Sequence, residues 1–235
     1  MTILGVRPAR RAGLLYLALA ATGAFGSFYA PLAVIVSGDP AATAERVRTS
    51  ELLVRLGIAS ELISATLFIF VALALYGLFK GVNQGHAALM VILAVVSVPI
   101  SFVGVATELG ALGLLSGAVH VSAVGPSELE LLAYVLLRLH IQTIVVAEIF
   151  WGLWLLPLAA LVIRSGVVPR AIGVLLVVAG SAYLVGTFIS VLVPALAATA
   201  SIVAVILEAG ELSMIWWLLT TRSTASSLAG VVAPA

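Results

Sequence analysis

Apolar residues run along this chain in long continuous blocks that break only at glycine, proline and charged positions. A helix crossing about 30 Å of hydrocarbon needs roughly 20 mostly apolar residues. On that template the blocks predict six spans, approximately Gly13 to Val36, Leu53 to Phe79, Ala87 to Leu114, Leu132 to Val162, Ala171 to Val193 and Ala195 to Thr220. None shows the ten-residue alternation of a membrane β-strand. The predicted fold is therefore all-α, a polytopic membrane bundle of six transmembrane helices forming one domain over residues 1–235. The first block, preceded by Arg7, Arg10 and Arg11, is longer than the 7 to 15 residues of a signal-peptide core, and is read as a retained span.

The polar connections set orientation and local structure. Arg7, Arg10, Arg11, Lys80, Arg164, Arg170 and Arg222 collect on one side, against Arg46 and Arg48 on the other, so the positive-inside rule places both termini in the cytoplasm. Trp216 and Trp217 fit an interfacial aromatic belt near the last cytoplasmic end. In Ser37-Gly38-Asp39-Pro40, Asp39 is placed to cap a short outer-surface helix that begins at Pro40 and runs through Arg48. Ser127 and Glu130 have capping-box spacing at the start of the fourth long helix, which would begin above the membrane. Pro31, Pro99 and Pro157 fall inside spans, where kinks are common, and Gly23, Gly26, Gly104, Gly173, Gly180 and Gly186 suit close helix approach.

Composition removes whole classes of function. The set AVILMFWYC makes up 63% of residues and charged residues only 9%, with a mean hydropathy of +1.28, far from the balance of a soluble domain. The chain has no Cys, which excludes disulfides, thiolate metal sites and cysteine nucleophiles, and a net charge of +1 offers no basic surface to nucleic acid. The lipid bilayer is the one partner the composition requires.

Against that background the intramembrane polar residues stand out, because charges at depth are costly and mark functional sites by default. The second helix carries Arg55 and Glu61, the third Glu108, the fourth Arg138, His140, Gln142 and Glu148, and the sixth Glu208 and Glu211. Counted along the helices, Arg55, Glu61, Glu108, Arg138, His140 and Gln142 fall in the outer half, and Glu148, Glu208 and Glu211 near the middle, predicting a polar cavity open to the outer face. Five carboxylates face two arginines and one histidine, so some are held as neutral acids or a cation supplies the missing charge. Glu208 and Glu211, at i and i+3, are the pair placed to share a proton or an ion. Glu148, Glu208, Glu211, His140 and Gln142 are the candidate ligand or ion-binding set, while Arg55 and Arg138 are expected to form structural ion pairs with Glu61 and Glu108. The bland alternatives are acids bonded to backbone or hydroxyl groups, and a His140 that is hydrogen-bonded in the interior rather than a metal ligand. Tyr183, Thr187 and Ser190 share one face of the fifth helix and could line the same cavity.

No H-E-x-x-H, Glu-x-x-His pair, P-loop, G-x-S-x-G or G-x-G-x-x-G occurs, and His86 and His120 sit in or beside loops. No metal or cofactor is assigned from sequence.

Several stretches together resemble a bacterial membrane family, domain of unknown function 4386. They are Ala12 to Leu17, Gly38 to Ala44 with Leu53 to Ile58, Ala74 to Lys80 with Val82-Asn83, Arg164-Ser165 with Val168-Pro169-Arg170 and Gly173 to Leu176, then Gly210-Glu211-Leu212 with Trp217-Leu218-Leu219. The stretch from roughly Val91 to Leu132 carries little of it. The resemblance implies six spans and adds weight to Arg55 and Glu211 as motif positions. It implies no reaction, substrate or cofactor. The leading expectation is an acidic cavity that binds or transports a cation or small molecule. A structural or regulatory subunit, and an intramembrane enzyme using clustered Glu and His, are the alternatives.

Overall fold

The computed structural model describes residues 6–119 and 124–221, and all regular structure among them is helical. Helix α1 (Val6–Gly23) continues through a π-helical turn (Ala24–Tyr29) into α2 (Ala30–Val34). Then follow α3 (Pro40–Thr49), α4 (Glu51–Phe79), α5 (Gln84–Leu115), α6 (Pro126–Ser165) and α7 (Arg170–Leu192). The last span comprises α8 (Ala197–Glu208), a 3-10 turn (Ala209–Glu211) and α9 (Leu212–Thr220). Among the described residues six runs are long and apolar enough to cross a membrane: Pro8–Val34, Glu51–Phe79, Gln84–Leu115, Pro126–Ser165, Arg170–Leu192 and Pro194–Thr220. The protein is an all-α, six-span membrane helix bundle.

By contacts the chain divides into two compact units. The first contains the described residues up to Ala18, Leu67–Ser97 and those from Val146 onward; the second contains Leu19–Thr66 and Val98–Val145.

In the second unit, Asp39 caps α3 as expected, its Oδ1 accepting the Ala42 N–H at 2.9 Å with Pro40 as first helical residue. The turn before it uses Gly38 at φ +78°, a conformation that side chains disfavour. Helix α3 is held by an Arg48–Glu130 salt bridge of 2.8 Å and by the Gly38 N–H donating to Tyr134 Oη at 2.8 Å. Behind it, Val47, Val54, Ile58, Val105, Leu112 and Leu137 pack as one buried cluster. The expected capping box does not form. Helix α6 starts two residues earlier than that cap requires, on Pro126, whose fixed φ suits a first helical position. Glu130 is drawn to Arg48, and the Ser127 hydroxyl donates to Glu128 instead.

The π turn was not predicted. It lies in the turn before Pro31, where a proline removes one donor and crowds the carbonyl four residues earlier, and a widened turn relieves that crowding. It also brings Gly26 against α4: a Cβ there would lie 2.8 Å from Gly57 O and 2.7 Å from Glu61 Cγ.

In the first unit, α6 and α7 meet backbone to backbone. Cβ atoms on Gly152 and Gly180 would stand 2.7 and 2.8 Å from each other's carbonyl oxygens. Lipid tails are as apolar as leucine, so such close packing, rather than the hydrophobic effect, holds membrane helices together. Trp154 is fully buried, with Phe68 edge-on at 4.8 Å and Tyr16 at 5.8 Å. Gly210 lets the 3-10 turn close on α7, since a Cβ there would lie 3.1 Å from Leu175 O.

Candidate metal centre and acidic site

Three chemically active side chains converge in the second unit: Glu61 from α4, Glu108 from α5 and His140 from α6. They are 6%, 3% and 1% exposed, and one ligand atom of each lies within 4.8 Å of the other two. Glu61 Oε1 stands 3.4 Å from His140 Nε2. Yet among the described residues Glu61 Oε1, Glu108 Oε2 and both ring nitrogens of His140 find no hydrogen-bond partner. Buried polar atoms are nearly always paired, and each left unpaired costs on the order of 1–3 kcal/mol.

Two glycines shape this site. A Cβ on Gly26 would press on Glu61, and one on Gly104 would collide with Thr143 Oγ1 and come within 3.3 Å of His140 Nδ1. Thr143 is itself held by donating to the His140 carbonyl at 2.6 Å.

The arginines go elsewhere. Arg55 pairs with Glu51 at 2.6 Å, one turn earlier on an exposed face. Arg138 is exposed and makes no salt bridge among the described residues. Helix geometry accounts for this: at about 100° per residue, Arg138 and Gln142, two residues either side of His140, point away from the face His140 presents. Gln142 is accordingly exposed. The expected ion pairs between these arginines and Glu61 or Glu108 are replaced by the grouping of both carboxylates with His140. Of the other histidines, His86 lies in the first turn of α5 and bonds Asn83 at 2.9 Å, and His120 lies outside the described residues, as does Arg222.

Glu148, Glu208 and Glu211 belong to the first unit, apart from His140 in the grouping of the chain. There Tyr16 Oη donates to Glu211 Oε2 at 2.5 Å, and Thr187 Oγ1 to Glu148 Oε2 at 3.4 Å. Tyr183 faces Glu211 and meets Trp151 edge-on at 6.3 Å, and Glu148 and Glu211 both act electrostatically on Glu208. Tyr16 went unrecognised as a site residue; its sequence signal was a hydroxyl-bearing side chain inside the first span. A groove of about 490 Å³ between α7 and α8 is lined by apolar and small residues such as Val177, Val185, Ala200 and Val203, with no carboxylate.

The sequence pattern of a bacterial membrane family, described as domain of unknown function (DUF4386), matches residues 11–221. The chain belongs to the DUF4386 family. The DUF4386 match takes in Glu61, Glu108 and His140 as well as Tyr16, Glu148, Glu208 and Glu211, and runs through the stretch between Val91 and Leu132. No curated protein and no solved structure matches the chain. In this DUF4386 protein the trio draws on the second, third and fourth spans, and the acidic site on the first, fourth, fifth and sixth.

Proposed function

We propose that this protein is a single-domain, intramembrane cation-binding protein whose ion is held by Glu61, Glu108 and His140. The observation that carries this reading is the set of buried, unpartnered acceptor atoms on two carboxylates that form no salt bridge with an arginine among the described residues. A bound cation satisfies those atoms and neutralises the carboxylates at once, which is the usual condition for charge at membrane depth.

The excess of Lys and Arg on one set of connections supports cytoplasmic termini, with the loop from Ser37 to Ser50 outside. In that orientation Glu61 lies ~15 Å along α4 from its outer start, and Glu108 ~11 Å from the outer end of α5. The cation site then belongs to the outer half of the membrane and is reached from the outer face. Because the chain lacks cysteine, a single cysteine at Ala42 tests this cleanly. It is expected to react with an impermeant maleimide added outside intact cells; labelling only after permeabilisation overturns the topology.

For Glu148 and Glu211, hydroxyl donors supplied by Thr187 and Tyr16 favour the second reading, carboxyls that tie helices together. The functional reading is tested by thermal unfolding of the full chain in lipid nanodiscs, stripped with chelator and then titrated with Na⁺, Ca²⁺, Zn²⁺, Mn²⁺ and tetramethylammonium. At least one is expected to stabilise the wild type and to lose its effect in Glu61→Gln/Glu108→Gln. If none does so, the protein does not bind a cation here.

A further inference from the structure

The trio's chemistry narrows the ion. Resting on the reading of Glu61, Glu108 and His140 as a cation site, we propose that the ion is a divalent first-row transition metal of the zinc and manganese kind. It takes one carboxylate from each glutamate and Nε2 of His140, and keeps at least one coordination position for a ligand from outside the chain.

Four features carry this. The donor set mixes one imidazole with two carboxylates, which suits Zn²⁺, Mn²⁺ or Fe²⁺, and contains no sulfur ligand for a soft ion such as Cu⁺. Calcium takes six to eight oxygens, whereas two carboxylates offer at most four. The charge also selects: two carboxylates that pair with no arginine among the described residues are cancelled by a divalent ion, while a monovalent one leaves a net negative charge in a low-dielectric interior. Spacing agrees as well. Ligands about 2.0–2.1 Å from a tetrahedral metal stand roughly 3.4 Å apart, the distance already found between Glu61 Oε1 and His140 Nε2.

The acidic character of the cluster is not what makes it a site. All three side chains are more than nine-tenths buried, and each turns an unpartnered polar atom into the group. Among the described residues no further His, Cys, Asp or Glu joins them. Three protein ligands are fewer than the four that closed structural zinc sites use, and match sites that keep a position for water or substrate.

The test uses the full-length protein in nanodiscs, metal-stripped, with Zn²⁺ and, as a spectroscopic stand-in, Co²⁺. Elemental analysis is expected to return one Zn²⁺ per chain. Co²⁺ is expected to give a visible d–d spectrum that Zn²⁺ removes, that Ca²⁺ and Mg²⁺ in 100-fold excess leave unchanged, and that azide shifts. His140→Gln is expected to weaken Zn²⁺ binding by at least ~100-fold, beyond the ~10–100-fold typical of residues that only support a ligand. Because that variant risks misfolding, the Ca²⁺ competition and azide shift on wild-type protein stand as independent readouts. Zn²⁺ binding that survives His140→Gln overturns the assignment, and a Co²⁺ spectrum blind to azide overturns the open position. Stabilisation by Na⁺, Ca²⁺ or tetramethylammonium with none by Zn²⁺, Mn²⁺ or Co²⁺ overturns the metal class but leaves the cation reading standing; no response to any cation removes both.

Discussion

Glu211 and Glu61 are both carboxylates on membrane-spanning segments, and their surroundings differ in kind. Glu211, in the first unit, receives the Tyr16 hydroxyl at 2.5 Å, and its neighbour Glu148 receives Thr187. In the second unit Glu61 Oε1 lies 3.4 Å from His140 Nε2 without a hydrogen bond, and among the described residues Glu108 Oε2 and both ring nitrogens are equally unpartnered. The first unit supplies Glu148 and Glu211 with donors from within the chain; the second groups one donor-free oxygen from each of two acids with His140. On the proposed reading, an acid with an internal donor ties helices together, whereas a group of acids without one is a place for a cation. The lesson is that counting buried carboxylates does not locate a site, and counting their partners does.

The sharpest way to break this contrast is to neutralise each set in turn. Glu61→Gln/Glu108→Gln is expected to abolish all metal stabilisation, which at 100 times the dissociation constant amounts to about 2.7 kcal/mol. Glu211→Gln should leave it intact, in thermal unfolding with and without Zn²⁺. Equal losses in both variants would erase the distinction between the units.

Gly104→Ala comes next. Its Cβ displaces Thr143 and crowds His140, so a destabilisation of about 1–3 kcal/mol by overpacking is expected together with weaker Zn²⁺ binding. Gly110→Ala, whose Cβ would meet only Leu136 at an ordinary 3.4 Å, serves as the control and should weaken neither quantity, the helix itself gaining up to about 1 kcal/mol from alanine. A Gly104→Ala variant with wild-type metal affinity would show that the helix approach at Gly104 does not position the ligands.

Tyr16→Phe removes the donor to Glu211 and should cost about 1–3 kcal/mol of stability, read by denaturant unfolding, with Zn²⁺ affinity unchanged. A loss of metal binding here would tie the two acid groups together functionally. The smallest effect belongs to Arg48→Gln: its bridge to Glu130 is partly exposed, so a change of at most about 1 kcal/mol, reduced further by salt, is expected from the same measurement.

Sequence alone determined the class of the molecule and much of its outline. The six spans follow from length and hydropathy, since a bilayer demands continuous apolar segments whose backbone bonds close within themselves. The Asp39 cap was equally legible, because a capping side chain and a proline at the first helical position act within a few residues of sequence. All three members of the trio were marked as costly polar residues, but nothing in the chain order says that residues 61, 108 and 140 share a point. Their grouping depends on the rotation of three helices about their own axes, set by packing at Gly26 and Gly104. That same rotation turned Arg138 and Gln142 outward, and tertiary contact alone joined Tyr16 to Glu211 across 195 residues. Local energetics write spans and caps into neighbouring residues; which polar atoms find partners is decided only when distant helices meet.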